Sequence, residues 1–110
     1  MKTDVSIVIP CYRSEKTVKN VVDELKETFK QRPEMSYEII LVNDHSPDGV
    51  WNVIRDIVHS NTNIKGVSLA KNFGQHAAIM AGLREAKGNI MLSVDDDGQI
   101  PVDAIFLLMD

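Results

Sequence analysis

The chain has 110 residues and a mass of 12.3 kDa, the size of one small domain. Its 16 acidic and 12 basic residues give a net charge of −4, which excludes the broadly basic surface of nucleic-acid-binding proteins. One cysteine excludes an internal disulfide and any zinc site built from several cysteines. The longest apolar runs, such as residues 104–109, are far shorter than the roughly 20 residues of a membrane span. We therefore expect no membrane span in this sequence.

Short apolar runs alternate along the chain with longer amphipathic segments. The short runs are rich in β-branched and apolar residues, which predicts strands at Val5–Ile9, Tyr37–Val42, Ile64–Leu69 and Ile90–Val94. Between them, apolar residues recur every three or four positions, as in helices that bury one face. This alternation predicts an α/β protein with an open, mostly parallel sheet and helices on both faces.

The predicted helices have start and stop signals. The first is predicted over residues 14–31, capped by the serine at its start. Ser46-Pro47 supplies the predicted N-cap and first helical position of the second. The third is predicted over residues 75–87, with Gly88 at its C-terminal stop, and a fourth begins at Pro101.

Each predicted strand is followed by a cluster of polar or otherwise unusual residues. In open parallel sheets, ligands bind beyond the carboxyl ends of the strands. We therefore expect these clusters to converge at one edge of the sheet. They are Pro10-Cys11-Tyr12-Arg13, Asn43-Asp44-His45-Ser46, residues 71–76 and residues 95–99.

Three consecutive aspartates, Asp95, Asp96 and Asp97, form the most unusual cluster. Adjacent carboxylates repel one another unless a cation compensates them, and several hard oxygen ligands together suit Mg²⁺ or Mn²⁺. Alternate side chains of an extended chain point the same way, so Asp95, Asp97 and Gln99 can face one ion while the middle aspartate points elsewhere. The alternative is a solvated acidic turn that precedes the helix at Pro101.

The clusters after the first three strands leave alternatives open. Asp44 either accepts a hydrogen bond from a nucleobase or ribose, or forms an Asx turn into the next helix. Tyr12 either stacks on a base or is a half-buried loop aromatic. Arg13 and Lys71 either contact phosphate or are solvated cations. The sequence has neither a GxGxxG nor a GxxxxGK[ST] motif, so any phosphate would be held by a metal and by side chains.

Four segments occur in a characteristic order: SIVIPCYRSEKTV, EIILVNDHSPDG, NFGQHAAIMAGLREAKG and DDDGQIP. Together they resemble the N-terminal part of family 2 glycosyltransferases, which have the GT-A fold, and the resemblance extends over nearly the whole chain. The last two are most similar to the polyprenyl-phosphate branch, which includes dolichol-phosphate and undecaprenyl-phosphate sugar transferases. The resemblance implies that residues 1–110 are the Rossmann-like nucleotide-binding half of a GT-A domain.

The resemblance also implies roles for the matching residues. One set is expected to shape the nucleotide pocket, contact the base or lie near the nucleotide: Pro10, Tyr12, Glu15, Asp44, Lys71 and Asn72. Asp95 and Asp97 match the DxD motif, which binds the divalent ion and the diphosphate or ribose of the donor. Gln99 is expected to help at the metal. The implied ligands are a UDP- or GDP-linked sugar and Mg²⁺ or Mn²⁺.

Three residues differ from the family pattern. Asn43 stands where many members have an acidic residue, His45 replaces a common glycine, and Gly98 replaces the apolar residue of a DxDLQ motif. The first two are expected to alter contacts with the base. The metal ligands are retained, so metal binding is expected to survive.

The resemblance implies inverting transfer of the sugar to an acceptor oxygen, with a polyprenyl phosphate as the expected acceptor. A phosphate is already anionic and needs little general-base help, whereas a hydroxyl needs a base. Both the acceptor site and any base are expected beyond residue 110. We therefore expect residues 1–110 alone to bind the nucleotide without transferring sugar.

The sequence stops inside the apolar run at 104–109, which predicts a domain truncated at its C-terminus. A truncated sheet exposes an apolar edge, so self-association is expected. The expected location is cytoplasmic, with membrane association in a longer protein.

The alternative function is a non-enzymatic α/β module, for example a receiver-like signalling domain or another nucleotide-binding module. The small size and the acidic edge fit a receiver. A receiver, however, needs an acidic pair after its first strand, where this chain has Pro10-Cys11-Tyr12-Arg13.

Overall fold

A computed structural model of the protein describes residues 3–94. Strands and helices alternate, as the sequence predicts, in the order β1 (Val5–Cys11), α1 (Val18–Lys30), β2 (Tyr37–Asn43), α2 (Val50–Ser60), β3 (Ile64–Ser68), α3 (Gln75–Glu85) and β4 (Ile90–Ser93). The helix predicted to begin at Pro101 lies outside the described residues.

The four strands form one sheet in which every pair is parallel, in the order β3-β2-β1-β4. β1 lies between β2 and β4, so that Val8 is paired with Ile40 on one side and with Ser93 on the other. The chain proceeds from β1 outward to β3 and then returns to the opposite side of β1. In open α/β sheets, ligands bind at such a reversal, which here falls at the carboxyl ends of β1 and β4.

Helices cover both faces of the sheet, which confirms the predicted architecture. On one face, Leu25 of α1 and Ile54 of α2 pack with Ile7, Ile9 and other apolar residues of the sheet. On the other face, Ala78 of α3 packs against β1 and β2. All seven residues of β1 are buried, as expected for a central parallel strand covered on both sides.

The first two helices begin later than predicted. α1 begins at Val18, preceded by Thr17, and the Ser14 carbonyl accepts hydrogen bonds from the N–H groups of both residues. Residues 15–17 form a turn before the helix, so Ser14 is not the N-cap. α2 begins at Val50 after Gly49, so Ser46-Pro47 is not its start. The Ser46 hydroxyl is hydrogen bonded to Arg13 and Asp48 instead.

Gly88 is needed for close approach to β1 and not as a helix stop. α3 ends at Glu85, before the predicted stop. The Gly88 N–H donates to the Ser6 hydroxyl at 2.7 Å. A Cβ atom at position 88 would lie 2.6 Å from the Ser6 backbone nitrogen, so a side chain would push the α3–β4 turn away from β1.

A buried polar network lies at the amino ends of the strands. The Glu38 carboxylate accepts hydrogen bonds from the Ser6 hydroxyl and from the Lys87 N–H, each at 2.6 Å, and pairs with the Lys65 ammonium at 3.0 Å. Glu38 is buried. This network joins β1, β2, β3 and the α3–β4 turn at the end of the sheet opposite to the predicted site.

Candidate functional site

The loops that follow β1, β2 and β3 contact one another at the carboxyl ends of these strands. The loop after β1 is hydrogen bonded to the loop after β2, which also contacts the loop after β3. Three of the four predicted clusters therefore meet at one edge of the sheet. The fourth, residues 95–99, follows β4 but lies outside the described residues. Asp95, Asp97 and Gln99 remain predicted metal ligands.

Asp44 connects the end of β1 to the loop between β3 and α3. Its backbone N–H donates to the Cys11 carbonyl at 3.1 Å. Its carboxylate accepts the N–H of Phe73 at 2.9 Å through Oδ1 and the N–H of Gly74 at 3.1 Å through Oδ2. Only 3% of Asp44 is exposed. Both carboxylate oxygens therefore hold the entry to α3, a role that the sequence does not predict.

The Asx-type turn at this site belongs to Asn43 instead of Asp44. The Asn43 Oδ1 atom accepts the Ser46 N–H at 3.0 Å, and its Nδ2 donates to the Ser68 hydroxyl at 3.1 Å. Between Asn43 and Ser46, His45 has a φ of 51°, in the left-handed region that favours glycine. This conformation gives a physical reason for the glycine that the family pattern has at this position.

Asp48 joins the loop after β2 to the loop after β1. Its Oδ1 accepts the Ser46 hydroxyl at 2.6 Å and the Val50 N–H at 3.2 Å, and its Oδ2 accepts the Glu15 N–H at 3.1 Å. The Ser46 hydroxyl in turn accepts the N–H of Arg13 at 2.8 Å. Burial acts to raise the pKa of Asp48, but the hydrogen bonds to its carboxylate outweigh burial and lower this pKa.

Ser46 belongs to the predicted cluster after β2 but has no predicted role in the site, and Asp48 lies outside all four predicted clusters. The available signal is the run Ser46-Pro47-Asp48-Gly49, in which polar and turn-forming residues directly precede an apolar helix. That signal places a turn before α2, but it does not reveal that the turn binds a loop more than 30 residues earlier.

Tyr12 and Arg13 form the exposed part of the loop after β1. The Arg13 guanidinium carbon lies 5.5 Å from the centre of the Tyr12 ring, within the range of a cation–π contact. The Tyr12 side chain is exposed enough at this edge to contact a ligand. By contrast, Pro10 and Cys11 are buried within β1. Pro10 lies one residue before the end of β1, and its ring is not presented to solvent.

The loop between β3 and α3 presents both of its predicted residues to solvent. Lys71 and Asn72 are exposed, and the Asn72 Oδ1 atom accepts the Gly74 N–H at 3.1 Å. Gly74 has a φ of 94°, which other residues rarely adopt. Phe73 is 60% exposed. The turn is therefore fixed by its backbone, and its side chains project from it.

The Ser14 hydroxyl is buried and has no hydrogen-bond partner among residues 3–94. We expect Ser14→Ala to leave the free energy of unfolding unchanged or to raise it by up to about 1 kcal/mol, because the change removes an unsatisfied buried hydroxyl. Urea denaturation measures the difference. Ser46→Ala is the matched control, since it removes a hydroxyl with two partners and should cost about 1 kcal/mol. A loss of more than 1 kcal/mol in Ser14→Ala would contradict the assignment.

Within residues 3–94, no three His, Cys, Asp or Glu side chains are grouped so that they could hold a metal ion. In the same part of the chain, no helix has the length and apolar character needed to span a bilayer. The described residues thus contribute loops to the site, while the predicted oxygen ligands follow β4.

The fold is similar to that of solved glycosyltransferases. The mannosyltransferase PcManGT from Pyrobaculum calidifontis, in complex with GDP-Man and Mn²⁺, superposes with a TM-score of 0.80 over 100% of this chain and 33% of that one, at 22% identity. S. aureus TarS 1-349 in complex with UDP-GlcNAc superposes with a TM-score of 0.75 over 97% and 30%, at 24% identity. These likenesses define the class as the α/β fold of GT-A glycosyltransferases.

The chain belongs to glycosyl transferase family 2, whose sequence profile matches residues 6–110. The undecaprenyl-phosphate 4-deoxy-4-formamido-L-arabinose transferase of Aeromonas hydrophila subsp. hydrophila is 38% identical over 107 residues, covering 96% of this chain and 32% of that relative. The dolichyl-phosphate beta-glucosyltransferase ALG5C of Trichomonas vaginalis is 31% identical over 102 residues, covering 89% and 30%. The predicted family is confirmed, and the chain spans about a third of the length of these relatives.

Proposed function

We propose that the chain binds the donor of a metal-dependent, inverting glycosyltransferase that uses a UDP- or GDP-linked sugar and a polyprenyl-phosphate acceptor. The observation that carries the proposal is the meeting of three loops at the carboxyl ends of β1, β2 and β3 in a chain of glycosyl transferase family 2. Two structural neighbours are complexes with GDP-Man and UDP-GlcNAc. Two relatives are named for transfer to undecaprenyl or dolichyl phosphate.

The proposed nucleotide site consists of exposed and buried parts of the three loops. Tyr12 offers a ring face for a base, and Lys71 offers a cation to the diphosphate. The buried Asp44 fixes the Phe73-Gly74 turn and so orients the loop that carries Lys71. The complete proposed set of nucleotide residues is Pro10, Tyr12, Glu15, Asp44, Lys71, Asn72, Asp95 and Asp97.

The donor set after β4 fits a divalent ion. Asp95, Asp97 and Gln99 offer oxygen atoms only, and these suit Mg²⁺ or Mn²⁺ more than Zn²⁺ or copper. Since β4 is parallel to β1, its carboxyl end opens onto the same edge as the three loops. A bound ion would neutralise the negative charge that develops on the departing nucleoside diphosphate. We propose these three residues as its ligands.

The residues of this chain would orient the donor so that its anomeric carbon is open to attack from the face opposite the diphosphate. An anionic phosphate acceptor needs no strong general base, and we assign none within the 110 residues. The proposal places the acceptor site, any base and any membrane association in additional residues of a longer protein. We also predict that copies of this chain associate with one another through an apolar edge of the sheet.

Isothermal titration calorimetry with UDP and GDP, each with and without Mn²⁺, tests the proposal. We expect binding of one nucleotide that strengthens about tenfold or more with Mn²⁺ and that loses this dependence in Asp97→Asn. Asp96→Asn is the matched control, because it removes the same charge from the neighbouring position predicted to point away from the ion. The proposal would be refuted if neither UDP nor GDP bound. It would also be refuted if neither Mn²⁺ nor Asp97→Asn changed the binding.

A further inference from the structure

The segment from Tyr12 to Glu15 is attached to the loop after β2 at two backbone positions. The Arg13 N–H donates to the Ser46 hydroxyl, and the Glu15 N–H donates to the Asp48 carboxylate. A third hydrogen bond, from the Ser46 hydroxyl to Asp48 at 2.6 Å, joins the two acceptors. The result is a closed set of contacts between the two loops, called here the loop clamp: Arg13, Glu15, Ser46 and Asp48.

The backbone within the loop clamp needs outside support. Arg13 has a φ of 56°, which is unfavourable for a residue with a Cβ atom. A conformation of this kind persists where surrounding contacts determine it. The hydrogen bond from Arg13 to Ser46 is such a contact. It fixes the point at which the chain turns from the buried end of β1 toward the exposed ring of Tyr12.

Asp48 is suited to hold this segment because its negative charge strengthens each hydrogen bond that it accepts. The lowered pKa of its carboxyl agrees with such stabilisation of the charged form. One oxygen accepts from Ser46 and from Val50 at the start of α2, and the other accepts from Glu15. Asp48 thereby connects the backbone of Glu15 to the first residue of α2.

The Glu15 carboxylate occupies the space where a side chain at position 49 would lie. A Cβ atom at position 49 would collide with the Glu15 carboxylate, which therefore lies directly over the glycine. Gly49 has a φ of −86°, which other residues adopt readily. The space beside this glycine, and not its backbone freedom, therefore determines where the end of the exposed Glu15 side chain lies. An alanine would displace the Glu15 carboxylate while leaving the hydrogen bonds of Asp48 available.

We propose that Asp48 is a positioning residue that holds the Tyr12–Glu15 segment in the shape that receives the donor nucleotide. Asp48 acts through Glu15 and through Ser46, which holds Arg13, and it does not itself touch the nucleotide. This inference rests on the proposed function, because it takes the Tyr12–Glu15 segment to be part of the nucleotide site. It adds to that site a residue for which no role is predicted from the sequence.

Two variants separate the role of Asp48 from general stability. Asp48→Asn keeps one acceptor oxygen for Ser46 and Val50 but turns an amide NH₂ toward the Glu15 N–H. Gly49→Ala moves the Glu15 carboxylate without changing Asp48. Asp56→Asn removes the same charge as the first variant from an exposed position of α2 and is the matched control.

Two measurements are made on each variant. Amide hydrogen exchange at Arg13 and Glu15, without nucleotide, reports whether the segment is held. Calorimetry with UDP and GDP in the presence of Mn²⁺ reports whether its shape matters for binding. The midpoint of urea unfolding is measured in parallel. We expect Asp48→Asn to accelerate exchange at Glu15 about tenfold and to weaken nucleotide binding about tenfold, which is the loss of one charge-assisted hydrogen bond.

We expect Gly49→Ala to weaken nucleotide binding with unchanged exchange at Glu15, and Asp56→Asn to change neither quantity. Unaltered exchange at Arg13 and Glu15 in Asp48→Asn would overturn the proposal. So would faster exchange with unaltered nucleotide affinity, because the segment would then be held for stability alone. If the unaltered protein binds neither UDP nor GDP, the proposed function fails and the nucleotide role of Asp48 fails with it. Exchange then still decides whether the loop clamp exists.

Discussion

Asp44→Ala is expected to lower the free energy of unfolding by about 3 kcal/mol, because it removes the acceptor of two charge-assisted hydrogen bonds. Of the two N–H donors, Gly74 keeps only the exposed Asn72 side chain as an acceptor, and Phe73 keeps none among the described residues. Those donors are the backbone N–H groups of Phe73 and Gly74, at 2.9 and 3.1 Å from the carboxylate. Asp44 is only 3% exposed, so water cannot readily replace it. Urea denaturation gives the free energy, and amide exchange at residues 73 and 74 locates the loss.

Asp44→Asn separates the loss of charge from the loss of contact. Its carbonyl oxygen can accept one of the two N–H groups, while its NH₂ faces the other, so we expect roughly half the loss seen with alanine. Asp56→Ala on the exposed face of α2 is the control for removing a negative charge and should change stability by less than about 0.5 kcal/mol. An Asp44→Ala protein as stable as this control would contradict the assigned contacts.

The two roles of Asp44 make it unsuitable for a test of nucleotide binding. Asp44 is both a proposed base contact and the acceptor that fixes the Phe73-Gly74 turn. Loss of nucleotide binding in Asp44→Ala would therefore follow equally from a missing contact and from a displaced loop. The variants at Asp97, Asp48 and Gly49 avoid this ambiguity, because the first concerns the ion and the others leave the turn intact.

The positions of the strands could be predicted because short runs rich in β-branched and apolar residues favour strands. Every predicted strand agrees with the structure to within two residues at either end. β1 and β2 contain nearly continuous apolar runs, such as Ile39–Val42 in β2, and such runs suit parallel strands covered on both faces. The parallel order with helices on both faces then follows from the alternation with amphipathic helices. These inferences use information within about 15 residues of each position.

Two of the errors concern residues whose partners are far away in the sequence. Ser46-Pro47 is a normal start for a helix, yet the Ser46 hydroxyl is hydrogen bonded to Arg13 and Asp48 instead of the helix. Gly88 resembles a helix stop, yet its N–H donates a hydrogen bond to the hydroxyl of Ser6, which is 82 residues earlier. A local pattern cannot distinguish a glycine needed for backbone conformation from one needed for close approach.

The same limit applies to the site. Asp44 could be selected from the sequence because a carboxylate directly after a buried strand is unusual, but its partners Phe73 and Gly74 could not. Asp48 lies in the segment EIILVNDHSPDG that resembles the family, but nothing in the sequence identifies the partners of its carboxylate. Its role depends on the adjacency of β1 and β2, which brings Glu15 within 3.1 Å of its carboxylate.

Glu38 is expected to give a loss of similar size at the other end of the sheet. Its buried carboxylate accepts hydrogen bonds from Ser6 and from the Lys87 N–H and pairs with Lys65. We expect Glu38→Ala to cost about 3 kcal/mol or more, because a buried donor and a buried hydroxyl lose their acceptor. The ion pair contributes less than the hydrogen bonds, since the Lys65 side chain is 36% exposed. Glu34→Ala, at an exposed position, is the control.

The contribution of Glu38 also has a predictable pH dependence. Burial acts to raise its pKa, but the hydrogen bonds from Ser6 and Lys87 and the charge of Lys65 outweigh burial and hold the pKa below its ordinary value of 4.5. A carboxyl with a lowered pKa in the folded state stabilises the protein fully above the unfolded-state pKa. This stabilisation is lost as the pH falls through the folded-state pKa.

Glu38→Gln isolates this pH dependence, because its amide resembles the protonated carboxyl and every other titrating group is shared with the unaltered protein. We expect the unaltered protein to be about 2 kcal/mol more stable than Glu38→Gln at neutral pH. The difference should stay constant down to about pH 5 and shrink steadily below it. Urea denaturation of both proteins at a series of pH values measures it. A difference that stayed constant through this acidic range, or that grew, would show that protonation of Glu38 does not release the network that joins the amino ends of the strands.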